Sequence, residues 1–186
     1  MWIPRHVEKH LRRSVATRPV LVLTGARQTG KTSTLRRLFP RYGFVSLDLP
    51  TEAEQAEKEP DAFLGRHPAP VIIDEVQYAP GLFRHLKAVV DARRGQYGQY
   101  LLTGSQKFTL MKGVSESLAG RSDIIELETL SLSEIRAAFP DTGVEAAIVR
   151  GGFPELHANA EIDFVAFYNS YLATYLERDV RSLGTV

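Results

Sequence analysis

Cysteine is absent from the 186 residues, which excludes disulfides and thiolate metal sites and fits a reducing cytoplasm. Charge of one sign is scarce as well. The 23 Lys and Arg against 22 Asp and Glu leave a net charge of +1, so nothing global calls for nucleic acid or an anionic membrane. No apolar run approaches the roughly 20 residues of a membrane span, and MWIPRHVEKHLRR at the N-terminus lacks the apolar centre of a signal peptide. A cytoplasmic chain without a membrane partner is the expectation. No internal repeat or low-complexity tract occurs, and no Asn-Lys-x-Asp tetrad is present to read guanine. What is there is ordinary for a globular chain, 44% apolar and 24% charged, and long enough for one sizeable core.

Apolar strand-like runs alternate with helical patterns. Strands are expected at 20–23, 44–47, 71–73, 100–102 and 124–127, and helices at 32–39, 52–64, 82–93, 108–118 and 131–139. The alternation predicts an α/β fold with a parallel sheet built from right-handed crossovers. After Pro140 the pattern changes to two helical stretches, 144–149 and 162–180, flanking the turn GGFPE. The expected organisation is a lead-in helix over 1–18, a core over 19–140 and a helical region over 141–186.

The most informative stretch is GARQTGKTS, Gly25 to Ser33, directly after the apolar run PVLVLT. Gly25 and Gly30 permit backbone angles closed to other residues, so the N–H groups along Ala26, Arg27, Gln28 and Thr29 can turn toward one anion. A helix opening near Gly30 adds unpaired N–H groups and the positive end of its dipole. In a G-x-x-x-x-G-K-T loop, Lys31 reaches the β- and γ-phosphates and the Thr32 hydroxyl ligates Mg²⁺, with Ser33 following on the helix. A bare glycine turn beside a chance lysine explains less, because it requires neither the strand before nor the helix after.

VIIDEVQ reads as a buried strand delivering Asp74 at the carboxyl edge of the sheet, where ligands of open α/β sheets bind. Asp74 is expected to hold the Mg²⁺ hydration shell opposite Thr32. Glu75 is expected to act as the base that orients water toward the γ-phosphate. Capping of the next helix accounts for an Asp-Glu pair alone, but not for the phosphate loop upstream. YLLTGSQ is a third strand ending in Thr103, Ser105 and Gln106, any of which can report on the γ-phosphate, although a Thr-Gly-Ser turn explains the same residues. Arg121, in SESLAGR, is placed either as an arginine finger acting on a neighbouring subunit or as a surface arginine lying over apolar side chains.

The set GARQTGKT, VSLDLP, VIIDEVQYAP, LLTGSQ, GVSESLAGR, GGFPE and YLERDVRSL resembles the AAA+-type P-loop ATPases whose full chains carry an AAA domain followed by a DUF4143 domain. The match runs from about Ile3 to the end, with motifs in family order. The resemblance implies a three-layer P-loop sandwich of the additional-strand type, in which the strand ending at Thr103 lies between those bearing Lys31 and Asp74. It also implies that Lys31 and Thr32 bind phosphate and magnesium, that Asp74 and Glu75 form the acidic pair, and that Ser105 or Gln106 is the sensor. A further domain of comparable size is expected beyond the ATPase part.

The basic segment 3–15, with Val7 and Leu11 at helical spacing, reads as a lid helix with a solvated basic face before it reads as a nucleic-acid contact. His6 and His10, one turn apart, lack the completed ligand set a zinc site needs. The aromatic stripe in 164–180 reads as helix packing, a subunit contact or the seat of a further domain, with Arg178 and Asp179 as a link to the nucleotide site. The expected activity is Mg²⁺-dependent ATP binding and hydrolysis driving a conformational switch. The alternative is an ATP-dependent interaction module with negligible turnover, and a small-molecule kinase is third, since an Asp-Glu pair suits water better than a substrate hydroxyl. ATP and ADP, a homo-oligomeric neighbour and an unidentified protein are the expected partners, with nucleic acid weakly supported.

Overall fold

The computed structural model describes residues 2–183, except for the side chains at 107–109, 112 and 175–183. Contacts divide the chain into two units, one spanning His6–Glu128 and the other formed by the residues up to Arg5 together with the chain from Thr129 on.

The first unit runs α1 (Glu8–Thr17), β1 (Val20–Thr24), α2 (Lys31–Leu38), β2 (Gly43–Ser46), α3 (Pro50–Lys58), α4 (Pro60–Arg66) and β3 (Val71–Asp74). It continues through a 3-10 turn (Val76–Tyr78) to α5 (Leu82–Ala92), β4 (Tyr100–Gly104), α6 (Lys107–Ser117) and β5 (Ser122–Glu126). All strand pairs are parallel and the order is β2-β3-β4-β1-β5. The sheet therefore has β4 inserted between β1 and β3, as the family resemblance implies. β1, β3 and β4 are buried along their whole length, which explains why their sequences are unbroken by charge until the carboxyl edge.

Strand residues alternate between two cores. Val20, Val22, Val71, Ile73, Tyr100 and Leu102 pack with Phe83, Leu86 and Val90 of α5 and with Leu110, Val114 and Leu118 from α6 onward. Leu21, Leu23, Ile72, Leu101 and Ile125 face the other way, onto Leu11 of α1 and Leu35 and Leu38 of α2. This period-two division makes three layers. It also absorbs the apolar positions of the basic N-terminal segment, since Leu11 is fully buried there with Val7 and Val15 against it. The helix expected over 52–64 is two helices. Pro60 cannot donate to a preceding turn and disfavours a helical Glu59, which adopts φ −131° and ψ 57°.

The second unit holds α7 (Leu132–Ala138), α8 (Val144–Arg150), α9 (Pro154–Ala158) and α10 (Phe164–Leu183). Its core is Ile3, Leu130, Ile135 and Ala147. Arg5 and Glu134 form a buried ion pair at 3.2 Å, and Glu134 also completes a capping box with Ser131 at the start of α7. The GGFPE turn gains a helix of its own, α9, with Pro154 in its first turn. Gly151 is required there: it has φ 75°, and an added Cβ would meet the Tyr168 hydroxyl at 1.8 Å. Phe153 gathers Phe167, Tyr168 and Tyr171 at centroid distances of 4.7–5.8 Å, so the described part of the aromatic stripe packs within its own unit. The side chains of Arg178 and Asp179 lie outside the described residues. No helix among the described residues is long and apolar enough to cross a membrane.

Candidate functional site

The chain leaves the buried β1 at Thr24 and turns at once. Gly25 has φ 139°, and a Cβ on it would stand 2.2 Å from the Leu127 carbonyl oxygen, so close backbone approach as well as torsion demands glycine. Gln28 takes φ 61° and Gly30 φ 92°, and the Thr29 hydroxyl donates to the Ala26 carbonyl at 3.0 Å. Gly30 is the residue before α2, so the first N–H groups of that helix open into the loop.

Lys31 is 5% exposed, and its Nζ donates to the Gly25 and Ala26 carbonyls at 2.9 and 2.8 Å. Burial pushes its pKa below the ordinary 10.5; Glu75 and then Asp74 oppose that fall, and Arg27 adds to it. The ammonium is thus wrapped around its own loop, desolvated, and within electrostatic reach of both carboxylates.

Asp74 ends β3 next to this loop. Its Oδ1 accepts the Thr32 hydroxyl at 2.6 Å and also the Thr103 hydroxyl, while Ser46 Oγ lies 3.4 Å from Oδ2. Glu75 follows in the left-handed region, φ 54° and ψ 45°. A non-glycine residue held there costs on the order of 1 kcal/mol or more, and surrounding contacts must fix it. Its N–H donates to Thr103 Oγ1 at 3.2 Å, so Thr103 joins the backbone of one acid to the carboxylate of the other. Glu75 Oε2 accepts from Ser105 Oγ at 2.9 Å, from Ser105 N at 3.3 Å and from the Gln77 side-chain amide.

Of the residues expected at the site, the fold brings together Gly25, Gly30, Lys31, Thr32, Asp74, Glu75 and Ser105. Gln106 precedes α6 and makes no hydrogen bond to either carboxylate among the described residues. Arg121 stands elsewhere. Its carbonyl accepts from Val20 N at 3.3 Å, which places it at the amino edge of β1 and β5, while the loop leaves β1 from the carboxyl edge. The five residues of β1 separate the two edges by about 16 Å at the usual strand rise. Its guanidinium grips Asp91 of α5 at 2.7 and 2.8 Å and reaches the Ala119 carbonyl. This pairing raises the Arg121 pKa and lowers that of Asp91, each mainly through the side-chain hydrogen bond. It is not a group of this chain's own phosphate loop.

Thr103, one of the three candidates at the end of the third strand, touches both acids, while Gln77 and Ser46 join the cluster without a signal in the sequence. A polar residue inside an otherwise apolar strand marks Thr103; Gln77 carries no spacing signal. His6 and His10 are exposed as expected, yet His10 has an acidic neighbour, Asp123 at 3.2 Å, supplied from β5. Among the described residues no three His, Cys, Asp or Glu side chains cluster to hold a metal by themselves.

The donor set suits a small hard cation: the Thr32 hydroxyl and the Asp74 carboxylate offer two oxygens side by side, leaving the remaining positions to water and phosphate. The cradle suits polyphosphate, since it combines a buried lysine, two positive-φ glycines and a helix start.

A family model described as an AAA domain matches residues 17–136. The uncharacterized proteins Rv2008c of Mycobacterium tuberculosis and Mb2031c of Mycobacterium bovis are each 35% identical over 185 residues, covering 97% of this chain. The chain spans 40% of the length of these relatives. Among solved structures, the Walker-type ATPase PABY2304 of Pyrococcus abyssi superposes with a TM-score of 0.60 at 19% identity, covering 98% of this chain and 75% of that one. AMPPCP-bound DnaA from Aquifex aeolicus gives 0.51 at 16% identity, covering 95% and 63%. At such identities the likeness is one of fold.

Proposed function

The chain belongs to the AAA domain family, and from that premise we propose that it is a Mg²⁺-dependent ATP-binding and ATP-hydrolysing module whose cycle works a conformational switch. One observation carries the reading: the 2.6 Å hydrogen bond from Thr32 to Asp74, which joins two motifs 42 residues apart at one sheet edge. Two hydroxyl and carboxylate oxygens at that spacing suit shared coordination of one cation.

Bound Mg²⁺-ATP supplies the phosphoanhydride to be cleaved and the charge that organises it. The loop residues Gly25 to Gly30 bind phosphate through their N–H groups. Lys31 exchanges its loop carbonyls for phosphate oxygens, and Thr32 and Asp74 hold the metal. Glu75 faces the same space, close enough to Lys31 to influence its ionisation, and orients a water while accepting its proton. Ser105, tied to Glu75, reports on that position.

A module with negligible turnover is the second reading, and one feature favours it: with three donors on Glu75 Oε2, a single carboxylate oxygen is left to take a proton from water. Arg121 is proposed to act on a neighbouring copy after release from Asp91. A cytoplasmic location, a homo-oligomer and a protein partner complete the proposal, together with a following DUF4143 domain, which suits the greater length of the relatives.

Steady-state phosphate release decides between the readings. Wild type should turn over ATP, and Glu75→Gln should keep Mg²⁺-ATP binding while losing about 10²-fold or more in rate. Equal rates would remove Glu75 from the chemistry, and binding without turnover in wild type would favour the switch. The same assay across protein concentration reads Arg121, since a finger acting between copies makes the rate per chain rise with concentration.

A further inference from the structure

Gln77 is 4% exposed, in the 3-10 turn that follows the acidic pair. Its side chain folds back two residues and donates Nε2–H to Glu75 Oε2. Its other end has no partner: Oε1 is buried without a hydrogen bond. The amide is also closely confined. A Cβ on Gly104, at the end of β4, would meet Oε1 at 2.6 Å.

A buried amide acceptor left unmade costs free energy that a plain packing role would avoid. An apolar side chain of the same length would fill the space without that cost. The amide does one thing that an apolar group cannot, which is to donate to the Glu75 carboxylate. Turning the amide over would place its oxygen against that carboxylate, so the negative charge selects the observed orientation. Ser105, the residue after β4, supplies two more donors to the same oxygen. With Oε2 held from both sides, the carboxylate has one position, and Oε1 is left to face a water. Glu75 sits on a left-handed backbone that by itself gives no such definition.

We propose that Gln77 is a positioning residue for Glu75, clamping the carboxylate with Ser105 so that it faces the phosphate loop. This rests on the ATPase reading above. It assigns the buried orphan oxygen as the cost of placing one donor beside the base.

The test is Gln77→Met, which keeps length and apolar volume but cannot donate. Turnover should fall about tenfold or more, as expected for a lost charge-assisted hydrogen bond, while Mg²⁺-ATP affinity by calorimetry stays within about twofold. The melting temperature of the ligand-free protein should hold or rise, because the orphan acceptor is gone. Unchanged or faster turnover would overturn the proposal, as would a parallel loss of stability, which would make Gln77 a packing residue. A second measurement needs no nucleotide. The side-chain amide proton signals of Gln77 in the ligand-free wild type should move in Glu75→Gln, where the charged acceptor is lost. Signals that stay in place would also overturn it. Failure of wild type to bind ATP would sink the ATPase reading alone, leaving the amide signals to judge the clamp.

Discussion

Lys31 is the residue on which most of the proposed chemistry turns, and its burial has a consequence that pH can expose. Desolvation lowers its pKa, and the phosphates of ATP should restore it by placing negative charge beside the ammonium. At alkaline pH, between the lowered value of the free protein and the higher one of the complex, binding must take up a proton. Affinity should therefore fall as pH rises through that window. Below the lowered pKa the lysine is charged in both states and contributes no such dependence. Calorimetry in two buffers of different ionisation enthalpy would report the uptake as a difference in apparent enthalpy. Stability carries the corresponding sign: in the ligand-free protein the unfolded chain holds more protons across the interval below 10.5, so this group's cost eases as pH rises. Equal apparent enthalpies in both buffers throughout the alkaline range would argue that Lys31 does not meet phosphate.

The elements place these residues through their edges and their breaks. β1, β3 and β4 end side by side, so Gly25, Asp74 and Ser105 stand where three strands reach one carboxyl edge. Their interiors bear the load. Leu101, fully buried in β4, packs with Leu21 and Ile72 on the two neighbouring strands. Leu101→Ala should cost about 2–5 kcal/mol of unfolding free energy, read as a lower denaturation midpoint with an unchanged slope. A loss below about 1 kcal/mol would mean that the sheet core is elsewhere. The positions of β1, β3 and β4 were legible because buried parallel strands leave uninterrupted apolar runs ended by glycine or acid, whereas the place of β4 between β1 and β3 was implied by the family resemblance alone. The glycine-rich loop after β1 was legible because one torsional demand and one charge sit at fixed spacing. What was not legible depended on distant partners. Pro60 announced a break that an apolar helical pattern obscured, and Arg121 gave no sign of Asp91, 30 residues away. Gln77 was hidden because an amide acquires meaning only from the carboxylate it meets.

For the molecule as a whole, one α/β unit contains every residue of the candidate site, and a second, helical unit has its own small core and aromatic cluster. The family assignment and the parallel five-stranded sheet agree with that site, although the chain spans only 40% of the relatives it matches. The central claim is therefore a local one: this unit holds a nucleotide triphosphate at the loop after β1. Calorimetric titration with ATP and Mg²⁺, of wild type and Lys31→Ala side by side, tests it most directly. The account predicts one saturable site per chain in wild type, lost or weakened by about tenfold or more in the variant, because a charge-assisted contact to phosphate is removed. The variant should keep the far-ultraviolet spectrum of the wild type. Equal affinity in the two proteins, or no binding by a folded wild type, would contradict it.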